Sequence, residues 1–282
     1  MPAPAPLVLD PEDFVWVDGF ATPPSAKYRP LHALVSAIKL VLNKDDTRQV
    51  FEVVRSLTRD SVRKLFARFI ATPYGRRVVT EPVRLEDILG NFPRLRAMAP
   101  GTLGRAYVDF MDEAGFTPQG LIDAANEAGV GLQDYPDLQP FARAFRHLEV
   151  SHDLWHVLTG YGRDPVGELC NLTFTRRQTK NPGLKLIVGM GVTAIKLERW
   201  SMPVMAATRE AARMGDAVDF LFSEDVEAML ELRLADVRKR LGIFKPEIYD
   251  AIPLAEKLSV LRPKVQKTQT EREQDRGVAQ PA

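Results

Sequence analysis

Apolar positions recur along most of this chain at spacings of three and four, the period of half-buried α-helices. Leu31, Leu34, Val35, Ile38 and Leu42 predict a helix opened by Pro30. Val50, Val53, Val54 and Leu57 predict a second, starting at about Thr47 and stopping before Asp60. A third runs from Ser61 through Val62, Leu65, Phe66 and Phe69, and ends near Thr72-Pro73-Tyr74-Gly75. The cleanest stripe is Leu103, Ala106, Tyr107, Phe110 and Met111, with Thr102 as its cap and Arg105, Asp109 and Asp112 on the other side. A short helix over 121–128 and a turn at Asp134-Tyr135-Pro136 follow. From Leu138, the positions Phe141, Phe145 and Leu148 run in phase to His152 and His156, which predicts one unbroken helix. Ser151 offers the alternative of a fresh helix start.

The next helix covers 166–176, capped by Asp164, opened by Pro165 and ended by Asn181-Pro182-Gly183. Residues 184–195 are the most apolar run. They suit a buried helix, or the wall of a lipid pocket, or a membrane-facing helix flanked by Lys185 and Lys196. Gly189-Met190-Gly191 lacks the third glycine and the strand-turn-helix setting of a dinucleotide fingerprint. The last strong helix is predicted over 223–241, with Val226, Met229, Leu230, Leu234, Val237 and Leu241 as its stripe. Its acidic start, basic end and following Gly242 suit the helix dipole and cap. No alternating strand pattern and no internal repeat stand out. The reading is all-α, with a single multi-helix domain over 29–261. A proline-rich arm over 1–28, partly disordered, precedes it, and a charged disordered tail over 262–282 follows.

Composition narrows the function. A net charge of +1 and a pI near 7.8 give no reason to expect nucleic acid as a partner. The single cysteine, Cys170, excludes an internal disulfide and a cysteine-based zinc site. The amino terminus has neither a signal-peptide nor a transit-peptide pattern. No window approaches the ~20 apolar residues of a spanning helix. These features predict a soluble or peripheral protein, cytoplasmic and peripheral to the inner membrane if bacterial. Arg59, Arg63, Lys64, Arg68, Arg76, Arg77 and Arg84 face only Asp60 and Glu81 in the same stretch. They form a solvated basic face or a contact for anionic lipid headgroups.

The chemistry concentrates in His152-Asp153-Leu154-Trp155-His156 and Glu168. On a helix the two imidazoles, four apart, share a face, and Asp153 lies about 60° from His156. Glu168 comes one turn into the next helix, beyond a Gly160–Asp164 corner able to turn it back. Two imidazoles and two carboxylates make a candidate site for one divalent metal ion. In the His-Glu-x-x-His metalloproteases a glutamate general base stands where Asp153 stands here, so a hydrolase fits poorly. A second Glu-x-x-His helix, needed for a di-iron site, is missing from the sequence.

His152-Asp153-x-x-His156, eleven residues, then Glu168 resembles the metal-ligand signature of the coenzyme Q (ubiquinone) biosynthesis protein four family. Further stretches share the resemblance in the family's order: 100–107 with Phe110-Met111, Val166-Gly167-Glu168, and 234–243. The chain departs from the family at Leu148-Glu149-Val150-Ser151 and at Asn181-Pro182-Gly183. The resemblance implies an all-helical, membrane-peripheral protein with a metal site between helices and an apolar cavity for an isoprenoid tail, lined in part by 184–195. It implies metal-dependent C1 decarboxylation with hydroxylation of a polyprenylated 4-hydroxybenzoate-derived intermediate, and the organising of other ubiquinone-biosynthesis enzymes. The implied metal ligands are His152, Asp153, His156 and Glu168, for zinc ahead of Fe²⁺ or Mn²⁺. Arg105 and Arg163 are candidates for the substrate carboxylate, and a homodimer is a further expectation. The competing reading is a non-catalytic prenyl-lipid-binding scaffold with a structural metal.

Overall fold

The computed structural model describes residues 9–43, 48–81, 84–115, 132 and 135–261. The helix expected over 121–128 and the tail from 262 lie outside them. The described residues are overwhelmingly helical, as the periodicity requires. The exception is a hairpin in the segment read as an arm: β1 (Val15–Val17) pairs antiparallel with β2 (Phe20–Thr22). Asp18 and Gly19 both take positive φ, 49° and 85°, as a two-residue hairpin turn demands. Strands of three residues are too short to display an alternation, which is why the pattern gave no strand. The hairpin is docked. Phe14 and Ala21 are buried, and Phe20 meets Phe66 edge to face at 6.2 Å.

Three helices follow where the apolar spacing put them: α1 (Pro30–Leu42), α2 (Arg48–Leu57) and α3 (Ser61–Ile70). The face of α1 is inverted, however. Ala33, Ser36 and Ala37 are buried, and Leu31, Leu34, Val35, Ile38 and Leu42 are exposed. Small residues let α1 lie close against its neighbours, in a cluster with Val53, Leu172, Leu184 and Ile187. Thr72 does not close the helical region; it caps α4 (Pro73–Thr80) by accepting from Gly75 N at 3.0 Å. Short helices α5 (Leu85–Gly90) and α6 (Phe92–Arg96) lead to α7 (Leu103–Ala114), capped by Thr102.

Two long helices form the centre. α8 (Gln139–Thr159) is unbroken, because Ser151 is buried and donates to His147 O at 2.7 Å instead of capping a new start. α9 (Pro165–Thr179) returns from it and packs between α10 (Pro182–Glu198) and α11 (Val204–Ala217). α10 is the predicted apolar helix. It buries Leu184, Ile187, Gly191 and Ile195, and beyond them Leu197 and Trp200 are exposed. No helix of the described residues is long and apolar enough to cross a membrane.

The single helix expected over 223–241 is a break between two: α12 (Val226–Met229) and α13 (Leu234–Leu241). The reason is competition for backbone partners. Leu230 O accepts from Gly104 N at 2.8 Å, Leu232 O accepts from Leu103 N at 2.9 Å, and Leu234 N donates to Gly101 O at 2.9 Å. Carbonyls that would have continued the helix satisfy the free N–H groups at the start of α7. A Cβ on Gly104 would stand 3.2 Å from Leu230 O and 2.4 Å from Met98 Sδ, so glycine is what permits the approach. Short α14 (Glu247–Asp250) and α15 (Leu254–Lys257) complete the chain's described part.

Candidate metal centre

The last two turns of α8 carry His152 and His156. The helix stops at Thr159 because Gly160 takes a left-handed φ of 83°. Its final carbonyls are not left to water. Arg238, on α13, donates Nε to Leu158 O and a terminal nitrogen to Val157 O, both at 2.8 Å.

The corner that follows fixes both sides of the site. Tyr161 is buried, and its carbonyl accepts from His156 Nδ1 at 2.9 Å. A carbonyl can only accept, so Nδ1 carries a proton, and Nε2 is the nitrogen that faces Glu168 and that a cation would take. Metal-binding imidazoles are commonly held this way. Asp164 caps α9, its Oδ1 accepting from Val166 N at 3.1 Å and Gly167 N at 2.9 Å. Its other oxygen accepts from the Tyr249 hydroxyl, which itself accepts from Gly162 N at 2.9 Å. Gly167 lies directly against Gly162, where no side chain fits. Glu168 thus enters in the first turn of α9, facing back across the corner.

Glu168 Oε2 lies 3.1 Å from His156 Nε2, Oε1 lies 3.3 Å from His152 Nε2, and the two Nε2 atoms are 3.3 Å apart. Among the described residues, these three are the one group of His, Cys, Asp or Glu whose ligand atoms all fall within 4.8 Å of each other. His156 is buried, and His152 and Glu168 are half-buried, so one side of the cluster stays open. Burial alone would raise the Glu168 pKa, but the two imidazoles hold it well below the usual carboxylate range. Burial likewise disfavours charge on His152, and Glu168 outweighs it, leaving that pKa raised. The cluster is built to keep a negative carboxylate beside positive charge, which is what a divalent cation would supply. The donor set fits such an ion.

The structure gathers three of the four expected ligands. Asp153 stands beside them, but its Oδ1 faces Arg163 at 3.4 Å and does not converge with the three. Arg163 is at the site. Its guanidinium lies 4.2 Å over the Phe110 ring, which stacks on His156 at 5.7 Å. Arg105 is turned away: it binds Asp109 at 2.8 Å and Arg96 O at 3.3 Å on the outer side of α7. The spacing did not expose Tyr161, Tyr249 and Arg238 as site-builders, because two of them arrive from the other end of the chain. The basic run at 238–240 suits the helix dipole and lies in the stretch 234–243 that shares the family resemblance, but neither feature points to Arg238 as a site-builder.

His147, the third histidine of the same stretch, belongs to the core. It packs among Phe69, Tyr74 and Phe222, and its Nε2 has no hydrogen-bond partner among the described residues. Burial holds its pKa down to about 3, from the ordinary value of 6.5. Between those values the unfolded chain binds a proton that the folded one does not, so stability falls as pH drops through that window. By linkage the loss at pH 5 is about 2 kcal/mol. In His147→Leu, the gap between urea-unfolding free energies at pH 7 and pH 5 should shrink by about that amount.

Comparison with known proteins places this corner. The family model described as coenzyme Q (ubiquinone) biosynthesis protein Coq4 matches residues 22–247, which enclose the whole histidine–glutamate cluster. The mitochondrial ubiquinone biosynthesis protein coq4 of Pyrenophora tritici-repentis is 30% identical over 199 residues, 70% of this chain and 64% of its own length. Its counterpart in Phaeosphaeria nodorum is 30% identical over 188 residues, 66% of this chain and 60% of its own. The chain thus spans less than two thirds of the length of these relatives. A solved structure from Nostoc punctiforme PCC 73102, named for ubiquinone biosynthesis, superposes with a TM-score of 0.57. It is 19% identical and covers 77% of this chain and 99% of its own, so it shares the fold. On the extent of the family match, this chain belongs to the coenzyme Q (ubiquinone) biosynthesis protein Coq4 family.

Proposed function

We propose that this protein replaces the C1 carboxylate of a polyprenylated 4-hydroxybenzoate-derived ring by hydroxyl, with one divalent metal ion held by His152, His156 and Glu168. The observation that carries this reading is the convergence of two imidazole nitrogens and a carboxylate at a half-open site in a ubiquinone-pathway family. Zinc heads the candidates, followed by Fe²⁺ and Mn²⁺. Bound there, the ion would act as a Lewis acid toward a substrate oxygen.

The chain's own groups do the rest. The Tyr161 carbonyl keeps His156 in one tautomer, and the Asp164 cap keeps Glu168 at the corner. Arg163 offers a planar guanidinium to the ring carboxylate. Asp153 is the proposed fourth ligand; its present pairing with Arg163 means that engaging substrate with Arg163 would release it. Arg105 would have to leave Asp109 to take part. The apolar side of α10 is proposed to line the isoprenoid tail site, and the substrate's tail would keep the protein at a membrane surface. Other ubiquinone-biosynthesis enzymes and a second copy of the chain are its proposed partners.

Removal of the carboxyl as CO₂ with oxygen added to the ring is an oxidation, so dioxygen or another oxidant must be supplied. The test is to strip the protein with a chelator and titrate back zinc, Fe²⁺ or Mn²⁺ in the presence of a carboxylated prenyl-phenol. Conversion should vanish on stripping and return with one of the three. Undiminished conversion by metal-free protein would defeat the reading. A metal that restores thermal stability without any conversion would support a structural metal in a prenyl-lipid scaffold.

A further inference from the structure

Tyr107 stands in the middle of the apolar stripe of α7, and it is fully buried. Its hydroxyl oxygen, buried with it, has no hydrogen-bond partner among the described residues. Burying a phenol in that condition is costly, because the hydroxyl gives up water without a replacement. Orphaned polar groups of this kind are rare in folded chains and call for a reason.

The helix is not free to shift and relieve it. Its first turn is pinned to the carbonyls of Leu230 and Leu232, with Gly104 tight against the first of them. Tyr107, Phe110 and Met111 stand three and four apart, so they share a face, and that face meets the metal-centre residues. Phe110 stacks on His156 at 5.7 Å, and Met111 Sδ lies 3.1 Å from a terminal nitrogen of Arg163. Asp153 and Arg163 are the charged groups that act on the Tyr107 hydroxyl. Burial first and the Asp153 carboxylate second push its pKa up, with Arg163 pulling the other way, so it stays a neutral donor.

Other phenols at the corner make the contrast. The Tyr249 hydroxyl is satisfied twice, donating to Asp164 and accepting from Gly162 N at 2.9 Å. The Tyr161 hydroxyl is also without a partner among the described residues, but its ionisable neighbours include Cys170 and Glu210 and not Arg163.

We propose that Tyr107 is a substrate-binding residue: its hydroxyl donates to the ring carboxylate that Arg163 pairs with, and the two together select a carboxylated phenol. This role rests on the proposed function at one point, the ring carboxylate at Arg163. Arg163 pairs with Asp153 at 3.4 Å, and Asp153 takes nothing from the phenol. A carboxylate ligand accepts through two oxygens, enough for the planar guanidinium and for a hydroxyl besides. A ring that lacks the carboxyl leaves the hydroxyl orphaned, and a site built around such a group rejects the ligand that fails to satisfy it.

The full chain, loaded with zinc, is titrated calorimetrically with 3-geranyl-4-hydroxybenzoate and with 2-geranylphenol, without dioxygen so that nothing turns over. The wild type should prefer the carboxylated ring. Tyr107→Phe should cut that preference about 10–100-fold, the effect of losing a hydrogen bond to a charged group. Its zinc affinity should be unchanged, and its melting temperature without ligand should rise by about 2–4 °C as the orphaned hydroxyl goes. A tyrosine that only fills the core would not lower the preference while raising the stability. Arg163→Gln should cut the preference as well. A preference lost in Arg163→Gln and kept in Tyr107→Phe would overturn the role of Tyr107 and leave the proposed function standing. A wild type without any preference would overturn both. A lower melting temperature in Tyr107→Phe would show the hydroxyl already satisfied before ligand binds, and would also overturn it. A preference lost in Tyr107→Phe, in a protein that converts no substrate under air, would uphold the role while the proposed chemistry fails.

Discussion

Conversion of a carboxylated prenyl-phenol is expected to disappear in His156→Asn, with divalent-metal affinity lowered more than ~100-fold, beyond what loss of a supporting residue around a metal usually costs. The asparagine is chosen because the His156 side chain has two jobs. Its Nδ1–H satisfies the buried Tyr161 carbonyl, and its Nε2 faces Glu168. An asparagine amide can still donate to the carbonyl but offers no ring nitrogen to a cation. His156→Ala removes both and should add a folding cost of roughly 1–3 kcal/mol for the unsatisfied carbonyl. Calorimetric metal titration and thermal unfolding, run on both variants, separate the roles. If His156→Asn binds metal like the wild type, His156 is not a ligand.

The second large effect concerns a residue with no chemistry at all. Gly167→Ala places a Cβ 2.2 Å from Gly162 O and 2.8 Å from Gly162 C and N, all backbone atoms that cannot swing aside. Either α9 or the corner must move. The expected cost is about 3 kcal/mol, at the upper end for an overpacked site. Because Glu168 follows immediately, metal affinity should fall with stability. Gly189→Ala is the matched control. No atom of the described residues lies within 4 Å of its Cβ and its φ is ordinary, so it should stabilise α10 by roughly 0.5–1 kcal/mol. Urea-unfolding midpoints of the two variants moving in the same direction would contradict this packing of the corner.

The contrast between these features and the rest of the chain shows what a sequence carries. The histidine pair, the Phe141-to-His156 phase and the Asp164-Pro165 helix start were legible because they are local: each depends on residues within a few positions. The break in the predicted 223–241 helix was not, since its cause is hydrogen bonding with residues 101–104, more than a hundred positions away. The same holds for Arg238 on Leu158 O and Tyr249 on Gly162 N, separated by 80 and 87 residues. α1 failed differently. Its periodicity is that of the predicted helix but its orientation is reversed, because the large aliphatic side chains that set the period face outward. Ala33 and Ala37 face the core instead, allowing a closer helix approach. Asp153 illustrates a third limit. Spacing put its carboxylate near the imidazoles, but only the fold shows Arg163 arriving to compete for it. The Asp18-Gly19 pair is a local hairpin-turn signal, but the three-residue strands that flank it are too short to alternate.

In the proposed function, His152, His156 and Glu168 serve a ring decarboxylation coupled to hydroxylation. The most direct measurement is to incubate pure, metal-loaded protein with a carboxylated prenyl-phenol under air and identify the product by mass spectrometry. The expected product is lighter by one carbon and one oxygen, a hydroxyl in place of the carboxyl, formed by the wild type and not by His156→Asn. Recovery of unchanged substrate, from protein shown to hold a metal ion at that cluster, would contradict it.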